Sequence, residues 1–421
     1  MDITAQQNLV HQTRDARRAI DFPKLAPEER DALIKKYHPD HRGHAYRSIK
    51  FGPNAGESTV TEVATLLEGD SPIPADFNLT PEYSVDVLVV GGGGAGCAAA
   101  LHAHAAGANV LLATKLRLGD SNSVMAQGGM QIAVGPDDSP VQHFLDTLKG
   151  GHMKNDHDLL KVMVEEGPSI GQWLLELGVL FDRQSDGNLH VKKGGGSSKA
   201  RLLTCSDYTG LEIMRVLKDE VLNQKVPLLE FGAVVELLSD GKGTCTGAVL
   251  QDLDNKRHVV VAAKTVILAT GGIGRLHIQG FPTSNHYGAT GDALVLAYRM
   301  GVPLVQIDTF QYHPSGGVYP EQLVGALVTE GIRSEGGHLV NAKGDRFVNE
   351  LDTRDVVSSS IIKECEEGRG VRTAAGRSGV WLDTPLLDVA HGPGTLDKHF
   401  PAMVRQYERY QVDIRKDPVL I

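Results

Sequence analysis

The chain has 421 residues, 41% of them hydrophobic and 22% charged, enough for two or three domains of an ordinary soluble globular protein. Its formal net charge is −10 with no block of basic residues, so nucleic-acid binding has no electrostatic footprint, and no apolar run is long enough to span a bilayer. Glycine is abundant at 48 residues and aromatics are few at 5%, which favours an α/β protein with close backbone approaches over a β-sandwich.

Residues 1–83 read as a polar, charged helical extension and linker. Arg17-Arg18 leads into Asp21-Phe22-Pro23 rather than an apolar segment, so a twin-arginine export signal is not expected. A helix starts at Pro27 with acidic residues in its first turn and runs to about Tyr37. His38-Pro39-Asp40 has the tripeptide of the J-domain co-chaperone loop, and His38, His41 and His44 invite a metal-site reading. Pro39 and Gly43 break any shared helical face, so a plain loop is expected there. A second helix spans about Thr61 to Glu68, ahead of a proline-bearing linker.

Val85 to Val90 is an apolar, β-branched stretch suited to a buried strand. Gly91, Gly93 and Gly96 then fall on the G-x-G-x-x-G spacing, followed by an alanine-rich helix to about Ala106 and a second strand from Asn109 to Ala113. Glycines between a strand and a helix serve a tight turn, a close approach of pyrophosphate and helix–strand packing, and the helix N-terminus attracts the phosphates. A dinucleotide is therefore expected. The acid that usually ends the second strand and holds a ribose is replaced by Thr114-Lys115.

Helices are expected near 141–148, 156–166, 169–177 and 208–222, with Gly194–Gly196 as a loop. Strands fill 228–269, ending in Ala269-Thr270-Gly271-Gly272. Composition shifts after about residue 308, and helices follow near 354–367 and 398–410. The last residues, Asp417 to Ile421, read as a turn entering an apolar strand whose edge needs partners, so the end reads as cut. Cys97, Cys205, Cys245 and Cys365 lie far apart and read as reduced thiols, with no metal cluster expected in this chain.

An ordered series of motifs then falls into place: the Gly-rich turn, Ser121-Asn122-Ser123-Val124-Met125-Ala126-Gln127-Gly128-Gly129, Ala269–Gly272, Thr290-Gly291-Asp292, Gln311-Tyr312-His313-Pro314-Ser315-Gly316, Leu327-Val328-Thr329-Glu330-Gly331-Ile332-Arg333 and Thr353-Arg354-Asp355-Val356-Val357. From residue 84 onward the chain resembles the flavoprotein subunit of the succinate dehydrogenase and fumarate reductase family, which includes L-aspartate oxidase. The resemblance implies an α/β fold. A Rossmann-like FAD-binding domain (84–308) would be interrupted by a capping domain (309–421), with the C-terminal part of the FAD domain missing. It also explains Thr114-Lys115, since many members carry a Ser-Lys pair there. Gly91, Gly93 and Gly96 would face the pyrophosphate, with Thr114 and Lys115 beside the cofactor. Ser121, Asn122, Ser123, Gln127, Gly128, Gly129 and Asp292 would line the flavin. His313, Thr329 and Glu330 would face a dicarboxylate, Arg354 would donate the proton, and Glu330 with Arg333 would relay it from solvent. An iron–sulfur subunit would be the electron partner, in a cytoplasmic protein or one held at the inner face of a membrane through its partners.

Two departures qualify that picture. Membrane-bound members bond FAD covalently through a histidine where this chain has Asn122, and an amide is no nucleophile, so noncovalent FAD is expected. A substrate histidine in His-Tyr-x-x-Gly-Gly and an arginine in Gly-x-Asn-Arg would follow Ile421. The expected activity is interconversion of fumarate and succinate. The alternatives are an L-aspartate oxidase, with which Asn122 and the Thr329-Glu330 pair are compatible, and a non-catalytic flavin-binding fragment or assembly module, favoured by the missing C-terminal elements.

Overall fold

The protein, described here by a computed structural model over residues 3–41 and 45–421, is built around a six-stranded sheet. Its strands are β1 (Tyr83–Val90), β2 (Val110–Ala113), β3 (Leu228–Leu229), β4 (Gly232–Ser239), β5 (Cys245–Asp252) and β6 (His258–Leu268), in the spatial order β3-β2-β1-β6-β5-β4. The first four of that order run parallel, and β5 and β4 add an antiparallel edge. Side chains alternate across the sheet. Val89, Val110 and Leu112 pack under the helices Gly94–Ala105 and Thr209–Asn223, while Leu88, Val90, Leu111 and Ala113 pack with Leu296 of the helix Asp292–Arg299. Burial on both faces is why β1 reads as a continuous apolar run.

The Gly-rich turn leaves the C-terminal end of β1 with no steric slack. Gly91 sits at φ +118°, and a Cβ there would lie 2.3 Å from the Ala269 carbonyl oxygen. A Cβ on Gly96 would lie 1.7 Å from the Gly91 oxygen, so Gly96 lets the helix pack directly on the turn.

A second core forms after residue 320, where Val328, Ile332, Val356, Val357, Leu382, Leu396 and Tyr407 are buried together. Beside it, Leu339–Val340, Trp381–Leu382 and Val419–Leu420 form a three-stranded antiparallel sheet. Val419–Leu420 is the apolar strand anticipated at the end of the sequence.

Several boundaries differ from expectation. The two helices expected at 156–166 and 169–177 are one, His157–Glu176, with Pro168 inside it. Proline removes one backbone donor, but the buried stripe Leu160, Val164, Gly171, Leu174 continues past it, so packing holds the helix together. The expected helix at 398–410 is two, Thr395–His399 and Pro401–Glu408, broken at Phe400, whose φ −131° and ψ 47° lie outside the helical region. Residues before proline avoid that region, and Pro401 starts the next helix favourably. The Asp207 carboxylate accepts from the N–H groups of Ala402 and Met403 at 2.9 and 2.8 Å and so caps that helix from the other core.

The N-terminal segment is more structured than its composition suggested, with helices Ile3–Gln12 and Arg14–Arg18 ahead of Pro27–Tyr37. The plain-loop reading of His38-Pro39-Asp40 also needs correction. Pro39–His41 is a short 3₁₀ turn that buries Asp40. His44, of the histidine trio, lies outside the described residues, and no group of His, Cys, Asp or Glu among the described residues is placed to hold a metal.

The segment is fastened to the second core by a buried ion pair. Asp383, whose side chain is 0% exposed, takes Arg14 Nη2 at 2.6 Å and Arg17 Nη2 at 2.5 Å. Arg17 is itself 2% exposed, so Asp383→Ala leaves a buried guanidinium without its counter-ion. The substitution is expected to lower unfolding stability by about 3–5 kcal/mol, read as a lower urea midpoint at unchanged slope. A loss below about 1 kcal/mol, the range of exposed pairs, would show that the clamp is solvent-screened.

Candidate active site

The parallel strands end at a crevice of about 270 Å³ walled by Gly91–Gly94, Thr114, Lys115, Ser121, Asn122, Ser123, Ala269–Gly272 and Asp292, where open α/β sheets bind their ligands. Gly93 caps the helix Gly94–Ala105 with no side chain, so the helix N-terminus receives no side-chain cap from it. Only Gly94 N–H finds a side chain nearby, Ser123 Oγ at 3.3 Å. A side-chain-free turn leading into an uncapped helix start is a cradle for pyrophosphate. On the rim Lys115 Nζ holds Thr290 Oγ1 at 2.6 Å and Asp292 at 2.7 Å.

Asn122 is engaged at the edge of the crevice. Its amide donates to Asn285 Oδ1 at 3.0 Å, and its carbonyl accepts from the His286 N–H at 2.6 Å. Gln127, Gly128 and Gly129, expected to line the flavin, stand apart from these walls. Gln127 Nε2 donates to the Leu327 carbonyl at 3.1 Å, leaving its buried Oε1 without a partner. Gly128 O accepts from Thr209 Oγ1, and a Cβ on Gly129 would meet the Leu203 oxygen at 2.2 Å. Gln127 thus joins the crevice side to the second core, while Gly128 and Gly129 pack within the first.

The substrate-facing and proton-donor residues gather around one carboxylate. Glu330 Oε2 accepts from Arg354 Nε at 2.8 Å and lies 2.7 Å from Arg354 Nη2. Arg333 Nη2 approaches the same oxygen at 3.5 Å without forming a hydrogen bond, and is otherwise unpartnered. Arg333 is anchored through Ser315 Oγ at 3.1 Å and the Glu350 carbonyl at 2.5 Å. Burial favours the neutral acid in Glu330, but Arg354 and Arg333 outweigh it and hold the carboxyl below its usual range. Burial pushes the His313 imidazole down to about 3, helped by the two arginines, so it is neutral at physiological pH. Its Nδ1 accepts from the Ser315 N–H at 3.2 Å. Thr329 is buried at 3% exposure, with its hydroxyl 3.3 Å from the Gly331 N–H. It is closed off, whereas Arg354 is 38% exposed.

Three participants were not assigned a role from sequence. Gln311 Oε1 accepts from Arg354 Nη1 at 2.6 Å, Ser315 holds Arg333, and Gly195 lies so close that a Cβ would be 2.7 Å from Glu330 Oε1. Gln311 and Ser315 flank His313 inside a motif already noticed, which was their signal. Gly195 sits in a triple-glycine run that carries none, because its role is to add nothing where Glu330 needs room.

A second cavity, of about 360 Å³, is lined by Asn285, Gln311, His313 and Ser358 among others. It meets the crevice at the pair Asn285 and His286, the latter of which walls the crevice.

Comparison with known proteins bears on the same segment. The FAD binding domain family matches residues 86–420. A fumarate reductase (CoM/CoB) subunit from Methanothermobacter marburgensis is 37% identical over 348 residues, 80% of this chain and 61% of its own. The L-aspartate oxidase of Streptomyces coelicolor is 34% identical over 349 residues, 80% of this chain and 58% of its own. Among solved structures, a variant of E. coli quinol fumarate reductase FrdA superposes with a TM-score of 0.72 at 30% identity, covering 81% of this chain and 60% of that one. The chain thus spans about three-fifths of the length of these relatives. The glycine cradle and open helix start fit a dinucleotide, and with the family match covering most of its length the chain belongs to the FAD binding domain family, with FAD as its cofactor.

Proposed function

We propose that the chain is the flavoprotein part of an oxidoreductase interconverting fumarate and succinate, with residues 309–421 as the cap over the dicarboxylate. The observation that carries this reading is the charge balance at Glu330. Two guanidiniums flank one carboxylate beside a neutral imidazole, so one positive charge is left over in a largely buried setting. One carboxylate of a small dicarboxylate is the complementary group, because a buried charge demands a partner.

Bound FAD supplies the hydride chemistry. One alkene carbon of fumarate takes the hydride, and the other needs a proton. Arg354 is the donor in this reading, since it is the exposed member of the cluster and keeps two nitrogens on Glu330. Glu330 then passes back to it a proton taken up from solvent by way of Arg333, and between turnovers the two guanidiniums keep Glu330 ionised. The same guanidinium offsets negative charge developing on the substrate, usually the larger contribution. Gln311 holds Arg354 Nη1 and orients the planar fork. Electrons would come from an iron–sulfur partner, in keeping with the naming of the methanogen relative as one subunit of a larger enzyme. No helix among the described residues is long and apolar enough to cross a membrane, so attachment at the inner face of a membrane would run through partners of a cytoplasmic chain.

A second reading, L-aspartate oxidation, is favoured by Asn122 and by the likeness to the Streptomyces enzyme. Parallel assays of fumarate reduction and L-aspartate oxidation on the same preparation separate the two, and aspartate turnover with inert fumarate would overturn the first. Flavin bound with turnover of neither would leave a binding module.

FAD is expected to be held without a covalent bond, because the Asn122 amide is occupied by Asn285 and His286 and is no nucleophile. Acid precipitation should release all the yellow colour, and fluorescence left on the polypeptide in a denaturing gel would contradict this. Arg354→Lys keeps the charge but loses the fork. It is expected to lower fumarate turnover by about 10²–10⁴-fold, the range for a lost general acid, with FAD still bound. Near wild-type turnover would make Arg354 structural only.

A further inference from the structure

Residues 1–83 precede the segment that the family covers, yet they reach the site from behind. Asp40 Oδ1 accepts from the Tyr312 hydroxyl at 2.8 Å and lies 2.8 Å from His277 Nε2. His277 Nδ1 in turn lies 3.2 Å from Glu62 Oε2, and Gln279 Nε2 holds the other Glu62 oxygen at 3.1 Å. The His277 side chain is 0% exposed. Its charged form is disfavoured by burial but sustained by Asp40 and Glu62, which raise its pKa overall. Burial and Asp40 raise the Tyr312 pKa, so its hydroxyl stays a donor. His277 thus joins two carboxylates of the N-terminal segment to the body of the protein, and the Tyr312 hydroxyl hangs from Asp40, with His277 Nε2 also 3.1 Å from it.

Tyr312 sits between two residues of the arginine cluster. Gln311 on one side holds Arg354, and His313 on the other lies in the field of both arginines. Its carbonyl accepts from Ser358 Oγ at 2.9 Å, one turn along the helix that starts at Arg354. Residues 311–313 belong to no helix or strand, so side-chain anchors fix their place rather than a ladder of backbone bonds.

The same segment fastens to both halves of the molecule. On the side of the second core, Arg14 and Arg17 hold Asp383, and Phe22 O accepts from Asn349 Nδ2 at 2.8 Å. On the sheet side, Asn54 Nδ2 donates to the Leu304 carbonyl at 2.8 Å and Phe51 O accepts from the Tyr298 hydroxyl at 2.7 Å. Asp40 is therefore held from both ends and is not the tip of a loose arm.

We propose that Asp40 is a positioning residue for the reaction, fixing Tyr312 and through it Gln311 and His313 against the Arg354–Glu330 centre. The proposal rests on reading that centre as the dicarboxylate site. A displacement of about 1 Å in a reacting geometry costs on the order of 10²-fold in rate, so loss of a single anchor is enough to matter.

The test uses the FAD-loaded full chain with Asp40→Ala, which removes the acceptor, Tyr312→Phe and the double variant. Tyr312→Phe keeps the ring and removes only the donor, which guards against misfolding. Each single variant is expected to lower kcat for fumarate about 10- to 100-fold with KM within threefold, and the double variant to add little, because both act through one contact. Backbone hydrogen exchange in a peptide covering 311–315, which includes the Ser315 N–H on His313, is expected to speed up in all three without any substrate present. Unchanged kcat and unchanged exchange, with only a lower melting temperature, would reduce Asp40 to a staple and overturn the proposal, as would fully additive losses. If wild type reduces no fumarate, the functional reading falls. The exchange data then decide the positioning role by themselves, faster exchange supporting it and unchanged exchange overturning it.

Discussion

The site depends on one carboxylate placed between two guanidiniums. Glu330 would be a poor anion in that setting alone, since burial favours its neutral form. Arg354 and Arg333 keep it charged, and it keeps them close despite their mutual repulsion. The arrangement is short of one negative charge, and under the proposed function this is where a substrate carboxylate would bind. Buried groups with unmet electrostatic demand are uncommon in proteins, and Arg333 Nη2, with no hydrogen-bond partner of its own, marks where the demand lies.

The remaining contacts serve that centre. Ser315 and the Glu350 carbonyl fix Arg333, Gln311 fixes Arg354, and the absent side chain of Gly195 leaves room for Glu330. The crevice at the strand ends is organised by equally tight geometry, with Gly91 and Gly96 each placed where a methyl group would strike backbone oxygen. Crevice and centre come from different cores, and Asn285–His286, Gln127 to Leu327 and Asp207 to the helix Pro401–Glu408 tie them together.

The β1 turn was legible because strand, glycines and helix must occur in that order for any dinucleotide cradle, and the structure puts the cradle where the spacing placed it. Glu330, Arg333 and Arg354 stood out only as members of an ordered set of motifs. Their meeting is long-range, 24 residues apart for Arg354 and Glu330, and no local periodicity encodes it. The helices at Pro27 and Thr61 were legible, but the first two helices of the N-terminal segment were missed for a related reason. Val10 is the one buried residue of the helix Ile3–Gln12, so there was little amphipathic pattern to read, and Asp40 looks like any loop aspartate until its partners at 277 and 312 are in place. Pro168 misled in the opposite direction, because a local breaker was overridden by a buried stripe formed elsewhere.

The account stands or falls on a carboxylate answering the excess positive charge. The direct measurement is the affinity of the FAD-loaded full chain for fumarate and for fumaramide, its uncharged diamide of similar shape, by flavin difference spectra at low and high salt. The account predicts that fumarate binds at least about tenfold more tightly, equivalent to about 1.4 kcal/mol, with only a modest loss at high salt because the centre is shielded from solvent. Equal affinity for the two ligands, or binding abolished by moderate salt, would contradict it.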